Sequence, residues 1–342
     1  MSAVQSFVVH AWWFALGISL LIYIMLDGAD LGAGVFSLFV RDHHERGTIM
    51  AAMAGTWDAN ETWLIVAGGI MFGTFPLVYG SAFHYLMLPL IVVLLGIMSR
   101  AVTLEFRHHA VRSRPFWDGV FGTASLAILF FAGMAMGAVL KGFPLTSGQV
   151  PTYAGGLLRF ISPFSIWTGV GAVIAASLAG GLFIRARFKR TEPIRQRAAS
   201  WVNGALLLSL AAVIITVAWS VIIFPWAAHK WLGPYIWVWL LLGLAVVFAV
   251  AQMWRASRAE RDLAAIIWLD VAIAIMWLSM MFTMLPWIVP GTWTLKAAAS
   301  PSTSLITFTL AMGGFLPVMI IYNWYQTWVF RDRLSRFSDY GE

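Results

Sequence analysis

The chain has 342 residues, of which 61% are hydrophobic and 11% charged, and its formal net charge is +7. Soluble domains carry about 25% charged residues, so the composition excludes a soluble enzyme, a disordered chain and a nucleic-acid-binding module and places the chain in a lipid bilayer. The positive charge falls in short clusters between long apolar runs, a topology signal rather than a phosphate-binding face, and with no cysteine there is no disulfide, thiolate metal site or cysteine nucleophile.

No Lys or Arg precedes Arg41, so the first apolar run lacks the charged start of a signal peptide and is expected to stay as a span. A membrane helix needs about 20 mainly apolar residues. Nine stretches qualify: 8–40, 49–79, 82–105, 117–140, 161–184, 201–224, 233–254, 263–286 and 304–330. The first, second and ninth are long enough to tilt or to project beyond the hydrocarbon. With nine spans, 18 of the 22 basic residues fall on one side, and only Lys141, Arg159, Lys230 and Lys296 on the other. The positive-inside rule then puts the N-terminus outside and the C-terminus in the cytoplasm. The outer loops carry Pro225, Trp226, Trp231, Pro234, Tyr235, Trp287, Pro290 and Trp293, as expected of headgroup-level anchors. An arginine-rich loop at 185–200 separates a first group of helices (8–184) from a second (201–330) within one membrane domain (1–342). The expected fold is all-α and integral to the membrane: two four-helix bundles plus one peripheral helix.

Charged groups inside a bilayer are costly and usually functional. Asp27 and Asp30 on the first helix, and Asp58 and Glu61 on the second, each have i,i+3 spacing and share a helix face. The two pairs mirror each other about the turn near His44. Antiparallel helices rising 1.5 Å per residue would set Asp30 level with Asp58 and Asp27 level with Glu61, roughly 15–20 Å from the cytoplasmic helix ends. Four ionised carboxylates so close would repel, so some are expected to hold a proton or a cationic or polar partner. Such a ladder suits a proton path from the cytoplasm; it also suits a polar network that only fixes helix packing. Trp57, Asn60 and Trp63 flank the acids, and Asn60 can donate to a carboxylate. Gly28, Ala29, Gly32, Ala33 and Gly34, and Gly68 and Gly69, would let another helix approach closely. Glu105, with Arg100 and Arg107, reads as an interfacial ion pair at the end of the third span, and Asp270 in the eighth is a secondary buried acid. His10 and His84 near outer helix ends are weak haem-ligand candidates. The pairs His43–His44 and His108–His109 could bind a metal, though surface pairs usually do not, and the 16 methionines read as packing. No metal site and no catalytic residue is assigned.

Three stretches resemble subunit II of the cytochrome bd family of quinol oxidases. They are Leu26-Asp27-Gly28-Ala29-Asp30-Leu31-Gly32-Ala33-Gly34; Trp57-Asp58-Ala59-Asn60-Glu61-Thr62-Trp63-Leu64, followed by Ala67-Gly68-Gly69, Phe75-Pro76 and Tyr79; and Arg100-Ala101-Val102-Thr103-Leu104-Glu105-Phe106-Arg107. The tail, with Pro317, Tyr322, Trp324 and Phe330-Arg331, is similar too. Ala59 stands where the family would have glycine, and being small it leaves Asp58 in place. The resemblance covers nearly the whole chain and is most specific over 26–107. It implies a nine-helix subunit in a heterodimer with a subunit I that carries the haem b and haem d-type groups and the quinol site. A small single-helix accessory subunit and a structural quinone could accompany it. It further implies a multi-pass protein of the bacterial inner membrane in a respiratory electron-transport complex that reduces O2 to water and generates a proton-motive force. A proton-path role is carried onto Asp58, and is extended to Asp27, Asp30 and Glu61 by the hairpin geometry. The competing expectation is a proton-coupled secondary transporter, although neither inverted repeats nor midplane helix breaks are evident.

Overall fold

The computed structural model describes residues 3–53, 55–110, 112–146 and 154–329. Expectations that fall on the basic tail from Phe330 onward and on the side chain of His108 lie outside the described residues. In chain order the helices are α1 (Ala3–Ser37), α2 (His43–Met53), α3 (Trp57–Thr74), α4 (Pro76–Tyr85), α5 (Met87–His109), α6 (Arg114–Leu140), α7 (Pro163–Arg187), α8 (Pro193–Ile223), α9 (Pro225–Trp231), α10 (Ile236–Arg258) and α11 (Asp262–Met284). A two-stranded antiparallel hairpin follows, β1 (Trp287–Val289) and β2 (Trp293–Thr294), then α12 (Leu295–Ala298), α13 (Ser302–Met312) and α14 (Phe315–Val329).

Proline marks many of the helix starts. Pro76, Pro163, Pro193 and Pro225 each open a helix, where the missing N–H costs no hydrogen bond. The start of α7 is closed further by a capping box: Ser162 accepts from the Ser165 N–H, and the Ser165 hydroxyl accepts from the Ser162 N–H.

Among the described residues, eight helices are long and apolar enough to cross a membrane, with α13 and α14 counted as one. They match eight of the nine expected spans. The other, 49–79, is divided into α2, α3 and the start of α4. Pro76 disfavours a helical conformation at the preceding residue, and Phe75 accordingly turns out of the helix at φ −130°, ψ 59°. At the other end Gly55 and Thr56 form a turn before Trp57. What remains is an 18-residue helix carrying Asp58, Asn60 and Glu61 in its first turns, which make it more polar than the eight long apolar helices. The ninth stretch is likewise divided, at the Gly313–Gly314 turn. The hairpin β1–β2 is an addition to the expected all-α fold.

Helix α7 sits at the centre, packed against α1, α6, α8 and α11. Helices α1, α3, α5 and α6 lie to one side of it, and α8, α10 and α11 to the other. The tightest approach is between α1 and α7. A Cβ on Gly32 would stand 1.7 Å from the Ala176 carbonyl oxygen, and one on Gly180 would stand 2.2 Å from the Ala33 nitrogen. Only glycine permits that backbone contact. Gly28, Gly68 and Gly69, grouped with Gly32 from the sequence, have nothing within 4 Å of their would-be Cβ atoms and do not serve this purpose.

The two ends of the bundle are held differently. At the basic end, ion pairs join the loops. Asp118 binds Arg107 at 2.6 Å and His43 at 2.7 Å, with Arg46 at 3.7 Å. Asp262 binds Arg195 at 2.8 Å and Arg185 at 3.5 Å. Arg197 pairs with Glu45, and Arg187 donates to the Ala52 carbonyl at 3.0 Å. At the opposite end the ties are neutral or backbone contacts. The Phe143 N–H donates to the Thr292 hydroxyl at 2.8 Å, and the Ser300 N–H to the Thr74 carbonyl at 2.8 Å. A large apolar cluster that includes Trp12, Phe75, Phe143 and Trp293 fills this end.

Candidate functional site: a buried carboxylate–arginine cluster

The candidate site is built from α1, α3 and α5. Helix α1 presents Asp27 and Asp30, 0% and 1% exposed. Both lie on its buried face with Gly32 and Ala33, so the α1–α7 contact sets their rotation. Helix α3 presents Asn60 and Glu61, buried at 5% and 8%. Helix α5 contributes Arg100, fully buried.

Arg100 Nη1 donates to Asp27 Oδ1 at 3.0 Å and to Glu61 Oε1 at 3.3 Å. One guanidinium thus ties α1, α3 and α5 together in the apolar interior, its carbon 5.9 Å from the centre of the Phe121 ring. Asn60 Nδ2 donates to Asp30 Oδ2 at 2.9 Å. Arg100 Nε and Nη2 are buried with no hydrogen-bond partner among the described residues, and the buried Tyr23 hydroxyl, one turn before Asp27, faces that carboxyl. Two of the three carboxyl groups contact the Arg100 guanidinium, and Asp30 lies beside them on Asn60 with Arg187 as a second cation in electrostatic range. If all three were ionised, negative charge would outnumber positive in the buried cluster, at a cost of several kcal/mol per unpaired ion. The arrangement favours keeping protons on some of them.

The structure sets Asp27 beside Glu61, as the mirrored spacing predicts, but not Asp30 beside Asp58. The helix break before Trp57 places Asp58 in the first turn of α3 with its side chain exposed, and Asn60 meets Asp30 instead. Arg100 and Glu105 are the second departure. Arg100 faces Asp27 and Glu61, Arg107 turns to Asp118, and Glu105 is exposed, so the expected Glu105 ion pair is not formed. Arg100 lies two and a half turns before the end of α5, which linear proximity to Arg107 conceals. Trp63 is 2% exposed beneath the cluster, and Trp57 is half-buried against the core at the basic end. Asp270 is half-buried on α11, outside the cluster. Asp118, with Arg107, Arg46 and His43 around it, is not singled out by the sequence reading; its position one turn into α6, opposite the 41–46 basic run, is the available signal.

The class is therefore a polytopic helical membrane protein with ionisable groups gathered in its first hairpin. The model of the family described as cytochrome bd terminal oxidase subunit II matches residues 8–330, and the chain belongs to that family. It is 24% identical over 361 residues to the Escherichia coli (strain K12) cytochrome bd-I ubiquinol oxidase subunit 2, covering 95% of this chain and 94% of the relative. It is 24% identical to the Bacillus subtilis (strain 168) cytochrome bd ubiquinol oxidase subunit 2 over 335 residues, 95% of this chain and 97% of that one. Among solved structures it superposes on a chain of the bd oxidase from Geobacillus thermodenitrificans with a TM-score of 0.78 at 16% identity, covering 96% and 99% of the two chains.

A cytochrome complex carries haem, and three of the described histidines lack the buried setting of an axial ligand within this chain. An axial ligand must face a cavity. His10 and His84 are exposed, with His10 Nδ1 2.7 Å from the Ser6 carbonyl oxygen, and His43 is held by Asp118 at the basic end.

Proposed function

We propose that this chain is the proton-supplying, non-haem-ligating subunit of a quinol:oxygen oxidoreductase, paired with a subunit I that holds the haem b and haem d-type groups and the quinol. The relatives named as ubiquinol oxidase subunits support the reaction class. The exposed histidines support placing the haems in the partner. Reduction of O2 to water there would consume protons, and this chain's part is to hold and pass them.

The observation that carries the reading is the sharing of one buried guanidinium by Asp27 and Glu61, with Asp30 alongside on Asn60. Arg100 lowers the cost of one negative charge and leaves the other carboxyls to exchange protons. Asp58 is the exposed member, one helical turn from Glu61 on the same face of α3. It exchanges protons with what lies outside the chain, Glu61 receives them, and Asp27 and Asp30 form the inner store. The unpaired Arg100 nitrogens and the Tyr23 hydroxyl beside Asp27 are further attachment points for a hydrogen-bonded chain. The expected orientation puts the basic end, and with it the approach to Asp58, on the cytoplasmic side.

The test is Asp58→Asn in the tagged complex. Expected are unchanged co-purification of a large second subunit, an unchanged reduced-minus-oxidised haem spectrum and slower oxygen consumption with quinol. Assembly and turnover falling in parallel would replace the relay by a packing network. A haem-free single polypeptide, purified under conditions that keep known complexes intact, would return the transporter reading.

A further inference from the structure

The end of the bundle opposite the arginine-rich loops has an unusual charge inventory. Its loops contain Lys141, Arg159, Lys230 and Lys296 and no Asp or Glu at all. No carboxylate of this chain is placed to neutralise these cations. Lys230 is spent on capping α11, donating to the Leu285 carbonyl and, at 3.3 Å, to that of Phe282.

Lys141 and Arg159 converge on one cleft of about 370 Å³, with Tyr85, Gly142, Gly291 and Thr292 among its lining residues. That volume lies within the roughly 300–1,000 Å³ of ligand sites. The cleft is built from segments far apart in sequence: the end of α4, the loop after α6, the loop before α7 and the turn of the β1–β2 hairpin. Gly142 makes the assembly possible. It sits at φ +83°, and a Cβ there would stand 2.6 Å from the Pro290 carbonyl oxygen. Thr292 Oγ1 accepts from the Phe143 N–H at 2.8 Å and fixes the two loops together. Arg159 is held from its backbone: its carbonyl lies 3.5 Å from the Tyr85 hydroxyl, and its Nη1 donates to the Ala154 carbonyl at 3.4 Å. Two cations, a phenol and a hydroxyl thus border a cleft whose own chain supplies no anion.

Beside Arg159 the chain exposes apolar side chains, Leu157 at 52%, Leu158 at 60% and Ile161 at 44%. A loop that offers a guanidinium flanked by leucine and isoleucine is suited to the boundary between headgroups and acyl chains. We propose that Lys141 and Arg159 form a phosphate-binding site for the headgroup of an anionic phospholipid, whose acyl chains lie along Leu157, Leu158 and Ile161.

The test uses the complete complex carrying Lys141→Ala and Arg159→Ala together, with Lys141→Arg and Arg159→Lys as the charge-preserving control. The complex is delipidated, titrated with phosphatidylglycerol in detergent, and bound lipid is counted by native mass spectrometry; inorganic phosphate is titrated in parallel. The proposal expects the alanine pair to weaken retention of one lipid roughly 30-fold, about 2 kcal/mol for two basic side chains near a headgroup. The control should retain it, and inorganic phosphate should not compete at matched concentration. Equal lipid retention together with inorganic-phosphate binding that the alanine pair abolishes would keep the phosphate site but replace its source. Equal lipid retention with no phosphate binding would overturn the site. Lipid loss shared equally by the control pair would trace the effect to packing and also overturn it. The haem spectrum and turnover of the complex serve only to establish that each variant assembled.

Discussion

Arg100 bridges two acids with a single nitrogen, which makes its replacement informative. Arg100→Met would strand buried carboxyl groups without a cation, and the loss of one partner of a buried pair costs about 3–5 kcal/mol. The expected outcome is a lower yield of complex and a lower Tm, with Arg100→Lys recovering part of both. The same charge count predicts a protonated carboxyl at neutral pH. Infrared spectroscopy of the complex should contain a carboxylic-acid carbonyl band that shifts in D2O and weakens in Asp30→Asn; its absence from the unsubstituted complex would remove the proton store. At this scale the sequence was half legible. The i,i+3 spacing revealed the faces of Asp27, Asp30 and Glu61, because helical phase is local. The partner was not legible: Arg100 lies 39 residues beyond Glu61, and linear depth says nothing about how its helix is rotated. The exchange of Asp58 for Asn60 opposite Asp30 has a similar cause, since the register across a hairpin is lost when one helix ends at Met53 and the next starts at Trp57.

Helices recover well from hydropathy when they are uninterrupted. Eight expected stretches coincide with long apolar helices, and the one that does not is cut short by Pro76 and made polar by Asp58, Asn60 and Glu61. Contacts between helices are harder to read, because small residues are common throughout such chains. Gly28 and Gly32 look alike in the sequence, yet only Gly32 touches another backbone. Gly180→Leu should therefore separate α1 from α7. Overpacking typically costs about 1–3 kcal/mol, and backbone here has less room to yield than side chains. Gly28→Ala, with open space around its Cβ position, should stay within about 0.5 kcal/mol. Thermal unfolding of the two variants, followed by scattering or fluorescence, checks both.

Across the whole molecule, the charges that fixed the expected orientation also lock one end. Asp262 neutralises Arg185 and Arg195, all three largely buried. Asp262→Ala removes the buried carboxylate between the two guanidinium groups, leaving Glu260 at 3.8 Å as the acid beside Arg195, and should loosen the 185–200 loop. Limited proteolysis should cut there faster in the variant, while cleavage elsewhere stays unchanged; an unaltered rate would mean the loop is held by packing alone. Because these pairs are partly shielded from solvent, added salt should mimic the variant only weakly. The positive-inside count groups these residues on one expected side but does not reveal their pairing, which joins positions 67 residues apart.

The interlocked backbones of Gly32 and Gly180 carry one more implication. With no side chain between them, α1 and α7 can neither slide nor roll against each other without collision, so the carboxyl groups of α1 ride on a rigid rail. In the proposed relay, proton transfer at Asp27 and Asp30 would be timed by side-chain rotation, over picoseconds to nanoseconds, rather than by tilting helices. The cluster would behave as a fixed wire whose switches are its own torsion angles.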